Sequence, residues 1–170
     1  MMNMNIPQRR VLALERVFTE IAHTRMRGVP VQNPAVFVQA FGFAPDPNDP
    51  DMLQGVLVTP WFMNLVRLPT RACSSGDQLL AVGKKAHRTV GHESFEFVGA
   101  CEADIGAFEV CSLFSPMFEF ANHAVAADTA NEILNVLRVP VKPTVIIPPT
   151  VPSRRGFLFG RAVEPGRAPA

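Results

Sequence analysis

The sequence predicts an α+β fold: a mostly antiparallel sheet with an N-terminal helix, a second helix near the C-terminus and an extended, proline-rich tail. Three observations predict it. A 3.6-residue apolar period runs through the first thirty residues, period-2 and β-branched runs fill the middle, and helical spacing returns once before the tail. Nothing in between alternates strand and helix as a parallel sheet would require.

Residues 7–27 read as an amphipathic helix. Val11, Leu14, Phe18, Ile21 and Arg25 recur at i, i+3 and i+4 steps, with Val17 and Ala22 widening the stripe. Pro7 suits the first turn, and Gly28 followed by Pro30 supplies a stop. Arg9, Arg10, Glu15, Arg16, Glu20 and Arg27 are expected to face water. Residues 35–43, AVFVQAFGF, read as a strand buried on both faces, and PDPNDPD at 45–51 as a turn or loop. Segments 53–59 and 61–68 flank Pro60, which marks an edge, a bulge or the break between two strands. An edge there would let an extended peptide add by backbone pairing. Residues 78–82 are a short strand candidate. Residues 93–98 and 107–113 alternate and pair as a hairpin across 99–106. Asn122 is a good N-cap for a helix over 123–138, with Val125, Ile133, Leu134 and Leu137 on one face. From 139 onward VPVKPTVIIPPTVP is extended, its Val145, Ile146 and Ile147 apolar enough to lie on the body. Residues 1–161 form a single domain on this reading, and 162–170 a disordered tail.

Composition narrows the function classes. The chain has 170 residues, of which 48% are hydrophobic and 18% charged, enough for a real core. A net charge of +1 without a basic stripe argues against nucleic acid as a partner. No run approaches the ~18 apolar residues of a membrane span, and the N-terminus lacks an uncharged apolar core, so a cytoplasmic location without an integral membrane segment is expected. Cys73, Cys101 and Cys111 are too few and too far apart for a disulfide framework or a paired-ligand zinc site. Phosphate loops, dinucleotide fingerprints and the G-x-S-x-G elbow are missing, so no cofactor, no metal and no enzyme are expected. A small thiol-dependent enzyme or redox protein using Cys111 and one of His23, His87, His92 or His123 is the alternative; Cys111 otherwise reads as a small core residue. Glu102, Asp104 and Glu109 sit around a turn, where solvated carboxylates are ordinary.

Three blocks are specific: Val58 to Val66, VTPWFMNLV; Cys111 to Phe120, CSLFSPMFEF; and Arg154 to Arg161, RRGFLFGR. With the opening ERVFTEIAHTRMRGVPVQNPAV they resemble the HybE family of NiFe-hydrogenase assembly chaperones, which includes the proteins called HupJ, in order over about residues 10–161. The resemblance implies a non-catalytic maturation role. The partner would be a hydrogenase small or large subunit precursor, the small subunit with its twin-arginine export signal foremost, held until cofactor insertion and subunit assembly are complete. Other maturation factors are further partners. Some relatives carry an added rubredoxin-like domain with two C-x-x-C pairs; this chain has none, so no iron or electron-transfer role is implied.

Candidate partner-binding residues follow. Trp61 and Met63 alternate with Phe62 and Asn64, so one face of that strand is free to bind. In the second block Met117 and Glu119 are expected to face the partner, while Phe114 and Phe118 serve the core. Residues 153–159, Ser-Arg-Arg-Gly-Phe-Leu-Phe, match six of the seven positions of the twin-arginine motif S-R-R-x-F-L-K, counting Gly156 at the free one. They read as a last apolar strand flanked by arginines or as a tail in which Arg154 and Arg155 occupy the site meant for the client's arginines.

Overall fold

A computed structural model describes residues 4–73 and 78–140. Helix α1, Ile6–His23, opens with a capping box. The Asn5 side chain accepts from the Gln8 amide at 3.0 Å, and the Gln8 side chain accepts from the Asn5 amide at 3.2 Å. The helix closes at Thr24, short of the Gly28 stop, because the Thr24 amide and hydroxyl both return to the Glu20 carbonyl. Its buried stripe is Arg10, Leu14, Val17, Phe18 and Ile21. Arg10 is therefore not a water-facing residue. Its guanidinium donates to the carbonyls of Pro69 at 3.0 Å and Ile105 at 2.7 Å, which lets a charged side chain sit under the helix.

Six strands follow: β1 (Gln39–Asp46), β2 (Asp49–Val58), β3 (Met63–Pro69), β4 (Lys85–Val90), β5 (Glu93–Glu102) and β6 (Gly106–Phe114). They form one antiparallel sheet in the order β1-β2-β3-β6-β5-β4. Helix α2, His123–Arg138, comes last, and the Asn122 side chain accepts from the Val125 amide at 3.0 Å as its N-cap. The predicted bounds of the second helix and the 93–98 with 107–113 hairpin agree with this α+β architecture.

Several expectations are corrected. The first strand begins at Gln39 and is a half-buried edge strand, not one buried on both faces. The turn expected at PDPNDPD is present but confined to 47–48, its flanks belonging to the strands: Pro45 pairs with Leu53 and Asp46 with Asp49, and Asp46 accepts from the Asn48 amide. Pro60 marks the break between β2 and β3. However, β3 lies in the middle of the sheet, paired with β2 and β6, so it offers no edge to a peptide. Residues 78–82 form only a single bridge, Val82 to Gly99, whereas the strand lies at 85–90.

Alternation along the strands sends apolar residues to both faces. Leu53, Leu57, Val66 and Leu68 pack under α1 with Leu14, Val17, Phe18 and Ile21. Val56, Val58, Met63 and Leu65 pack with Ala126, Ala130, Leu134 and Leu137 of α2. Val125, expected on that face, is exposed, since the small Ala126 and Ala130 allow the closer approach. On the α2 side the sheet curls until Gln54 of β2 reaches the Thr89 carbonyl of β4 at 3.4 Å, across three intervening strands. Two glycines permit the close approach of α2 to the sheet. A Cβ at Gly42 would meet Leu134, and one at Gly91 would collide with the Leu137 carbonyl; both have positive φ.

Candidate functional site

The α2 start and the β2–β3 turn share one end of the sheet, and three segments meet there. The turn at 59–62 is built by Thr59. Its hydroxyl accepts from the amides of Trp61 at 3.3 Å and Phe62 at 3.0 Å, while its own amide donates to the Phe62 carbonyl at 2.8 Å. That turn presents the two aromatic rings half-buried against Phe18, whose ring centroid lies 6.5 Å from Trp61 and 5.7 Å from Phe62. The 115–122 segment, entered through a cis Ser115–Pro116 bond, follows β6. Asn33 ties the pieces together. Its side-chain amide donates to the carbonyls of Met117 at 2.9 Å and Phe120 at 2.8 Å, its side-chain oxygen accepts from Ala35 at 3.0 Å, and its backbone amide donates to Pro60 at 2.7 Å. At 7% exposure this residue leaves no polar group unmet.

At Met117 and Phe118 the orientation is the reverse of the expected one, while Phe114 and Glu119 sit as expected. Met117 is fully buried in the α2-side core and Phe118 is 58% exposed. Phe114 and Phe120 pack edge to face at 5.1 Å, so the core phenylalanines are these two. Glu119 is exposed beside Phe118. Met63 is also fully buried, leaving Trp61 as the residue of that pair with surface to offer. Arg154 and Arg155, with the rest of the tail, lie outside the described residues.

Sequence reasoning passed over Phe37 and offered His123 only as one possible partner of Cys111. The Phe37 ring stacks on the His123 imidazole at 3.4 Å and is 58% exposed. The Phe37 amide donates to His123 Nδ1 at 3.3 Å, so Nε2 carries the proton and donates to Gln39 Oε1 at 2.7 Å. Burial pushes the His123 pKa down, which favours this neutral form. Phe37, Asn33 and Pro60 line a small cleft of about 380 Å³ against the C-terminal part of α1. The corner thus combines apolar rings, one carboxylate and no ionised core.

The ionisable groups gather nearer the opposite end of the strands. Glu109 is fully buried and receives Arg67 at 2.6 Å, Arg88 through two bonds at 3.0 and 2.7 Å, and the Leu80 amide at 3.1 Å. Burial alone would push its carboxyl up, but the bonds from Arg88, Leu80 and Arg67 hold it below its ordinary value. Arg67 also faces Asp46 at 3.6 Å, and Gln54 donates to Asp46 at 2.6 Å. This cluster joins β1, β2, β3, β4 and β6, and within it Arg67 Nε is buried without a hydrogen-bond partner among the described residues. Glu109 is thus no solvated turn carboxylate.

Cys111 is half-buried, and its thiol is pushed up by burial and by the Glu96 charge, the opposite of what a nucleophile needs. Among the described residues no group of three His, Cys, Asp or Glu side chains is placed to hold a metal.

An antiparallel sheet is thus covered by one helix on each face, with exposed aromatic rings at one corner. The family model for NiFe-hydrogenase assembly chaperone HybE matches residues 9–160, and the chain belongs to that family. It is 47% identical to the protein HoxT of Cupriavidus necator over 161 residues, 89% of each chain. It is 36% identical to the hydrogenase expression/formation protein HupJ of Bradyrhizobium diazoefficiens over 152 residues, 86% of this chain and 85% of that one. The solution structure of HybE from Escherichia coli shares the fold, with a TM-score of 0.58 at 21% identity over 95% of this chain and 91% of that one.

Proposed function

We propose that this protein is a cytoplasmic hydrogenase-maturation chaperone that binds the precursor of a hydrogenase subunit, the small subunit with its twin-arginine signal, and releases it when cofactor insertion and subunit assembly are complete. The observation that carries the reading is the family match over residues 9–160. The aromatic corner supports it. Trp61, Phe118 and Glu119 are the contact residues, with Met63 and Met117 serving beneath them as core. A chaperone role needs a surface that is apolar yet small enough to stay soluble, and single exposed rings on a hydrogen-bonded frame meet that need.

A thiol enzyme is disfavoured by the raised Cys111 thiol. Replacing Cys111 with serine is expected to leave maturation intact, and loss of maturation in a folded Cys111→Ser protein would revive that alternative. The main test is co-purification. The tagged protein, drawn from cells that make a hydrogenase with its processing blocked or permitted, is expected to recover precursor and little mature enzyme. Equal recovery of both forms, or of neither, would overturn the reading.

A further inference from the structure

Helix α2 covers the sheet with Ala126, Ala130, Leu134 and Leu137 and turns its other side to solvent. On that outer side Val125, Thr129, Glu132 and Val136 follow one another at steps of four, three and four residues. With about 3.6 residues per turn this spacing returns to nearly one direction, so the four side chains form a row roughly 16 Å long. Val139, the C-cap, adds a further step of three. Val125, Val136 and Val139 are 44%, 58% and 60% exposed. The Thr129 hydroxyl donates to the Val125 carbonyl at 2.9 Å, so its polar group is spent inside the helix and its methyl is left for packing. The row is therefore apolar except at its centre, Glu132. At its N-terminal end it adjoins the aromatic corner, since Phe118 and Glu119 just precede the Asn122 N-cap. Single exposed valines are ordinary, but a row at alternating steps of four and three is the seam that a second helix lying alongside covers.

Charge narrows the occupant. Besides His123, α2 carries three charged side chains, Asp128, Glu132 and Arg138. Arg138 is turned to the sheet, where it donates to the carbonyls of Gly42 and Gln54. His123 is hydrogen-bonded through both ring nitrogens. Glu119, Asp128 and Glu132 are exposed, and none has a cation within ion-pair distance among the described residues. The strands packed against α2, β1 and β2, carry Asp46, Asp49 and Asp51 and no lysine or arginine. At the β4–β5 turn, where Gly91 meets Leu137, His92 faces Glu93 at 3.6 Å. The outward face of α2 is thus apolar and anionic. A carboxylate at the centre of a covered row is costly unless a cation is brought to it. That rejects an uncharged apolar run such as the core of an export signal, and selects a helix whose apolar pattern is interrupted by lysine or arginine.

We infer that the outward face of α2 docks a basic amphipathic helix from the body of the client subunit, lying along Val125 to Val139 with a lysine or arginine on Glu132. The inference rests on the proposed chaperone function for the owner of that helix, and it extends the contact from the aromatic corner along α2. A seam of about three turns with a carboxylate in it buries little area, which suits a contact made to be released.

The test uses the full chain and a fluorescein-labelled synthetic helix of alanine and glutamine, read by anisotropy. Its seam has five positions at the same spacing, with lysine at the centre and leucine at the other four. Val136 is exposed, so Val136→Glu should keep its urea midpoint and weaken the peptide about tenfold or more. Glu132→Lys should weaken the lysine peptide and bind more tightly a peptide with glutamate at its centre. Leu12→Glu, exposed on α1 across the sheet, should bind as the wild type does. Wild-type affinity in a folded Val136→Glu protein would overturn the assignment, as would a folded Glu132→Lys protein that does not reverse the preference between the two peptides. In co-purification, folded Val136→Glu should capture several-fold less subunit precursor than the wild type. Equal capture by the two would show the α2 face to be wrong and leave the chaperone reading standing. If the wild type captures no precursor at all, the chaperone reading itself falls, and the client as owner of the helix falls with it.

Discussion

The two ends of the sheet are held by different physics. At the α2 start, neutral hydrogen bonds from Asn33, Thr59 and His123 frame rings that remain partly in water. Towards the other end, fully buried Glu109 draws in buried Arg67 and partly exposed Arg88. A buried ion pair is costly to break and gives no surface to a partner. A frame of neutral bonds leaves exposed rings free to be covered and uncovered. The difference teaches where to look for function: the charged cluster closes the curl of the sheet, and the corner keeps Phe37, Phe118 and Glu119 exposed.

The largest effects should come from breaking the charged end. Glu109→Ala strands Arg67 and Arg88 and should cost about 3–5 kcal/mol in urea denaturation. Much of that loss should persist in Glu109→Gln, because the charge is the point; a near-neutral Glu109→Gln would show the cluster to be ordinary hydrogen bonding. Of similar size is Phe120→Ala, about 3–5 kcal/mol, since Phe120 is 5% exposed and packs on Phe114. Asn33→Ala should cost about 1–3 kcal/mol by leaving the carbonyls of Met117 and Phe120 without donors, and should loosen the corner while leaving the charged end protected in amide exchange.

Acid should separate the two ends in the same order that it protonates them. His123 is favoured neutral in the fold, so the folded state takes up its proton less readily than the unfolded chain. Stability from this group is full above the ordinary histidine range and falls as pH drops below it, opening the Phe37 contact first. Glu109 is held below the ordinary carboxylate range. Its contribution is full above that range and is lost only as pH falls through its lower folded value. A pH-dependent denaturation series should therefore show a shallow step near the histidine range that disappears in His123→Gln, and a steeper one in strong acid that disappears in Glu109→Gln. A single step unaffected by His123→Gln would deny the distinction.

Much of this contrast was legible in the sequence, for reasons that particular residues make clear. Asn122 and the apolar spacing after it mark the second helix with its observed bounds, because an N-cap is a local signal. Trp61 stands in a Thr-Pro turn whose break between strands is equally local. The charged end was not legible. Arg67, Arg88 and Glu109 are distant in sequence, each looks solvated by itself, and only the curl of the sheet brings them together. For the same reason Lys85–Val90 did not read as a strand: Arg88 takes the inward place an apolar residue would hold. The inverted order of Met117 and Phe118 is subtler. Both are apolar and adjacent, and the choice between them is made by Asn33, more than eighty residues away, which pins the Met117 and Phe120 carbonyls.

The smallest expected effect on stability is also the most telling for function. Phe118→Ala removes a ring that is 58% exposed and should shift stability by less than about 0.5 kcal/mol. The direct measurement is the amount of hydrogenase subunit precursor that co-purifies with folded Phe118→Ala protein, set against the wild type at matched expression. A several-fold drop in captured precursor with an unchanged urea midpoint is the result predicted for an exposed corner that meets the client. Undiminished capture by the folded variant would contradict it.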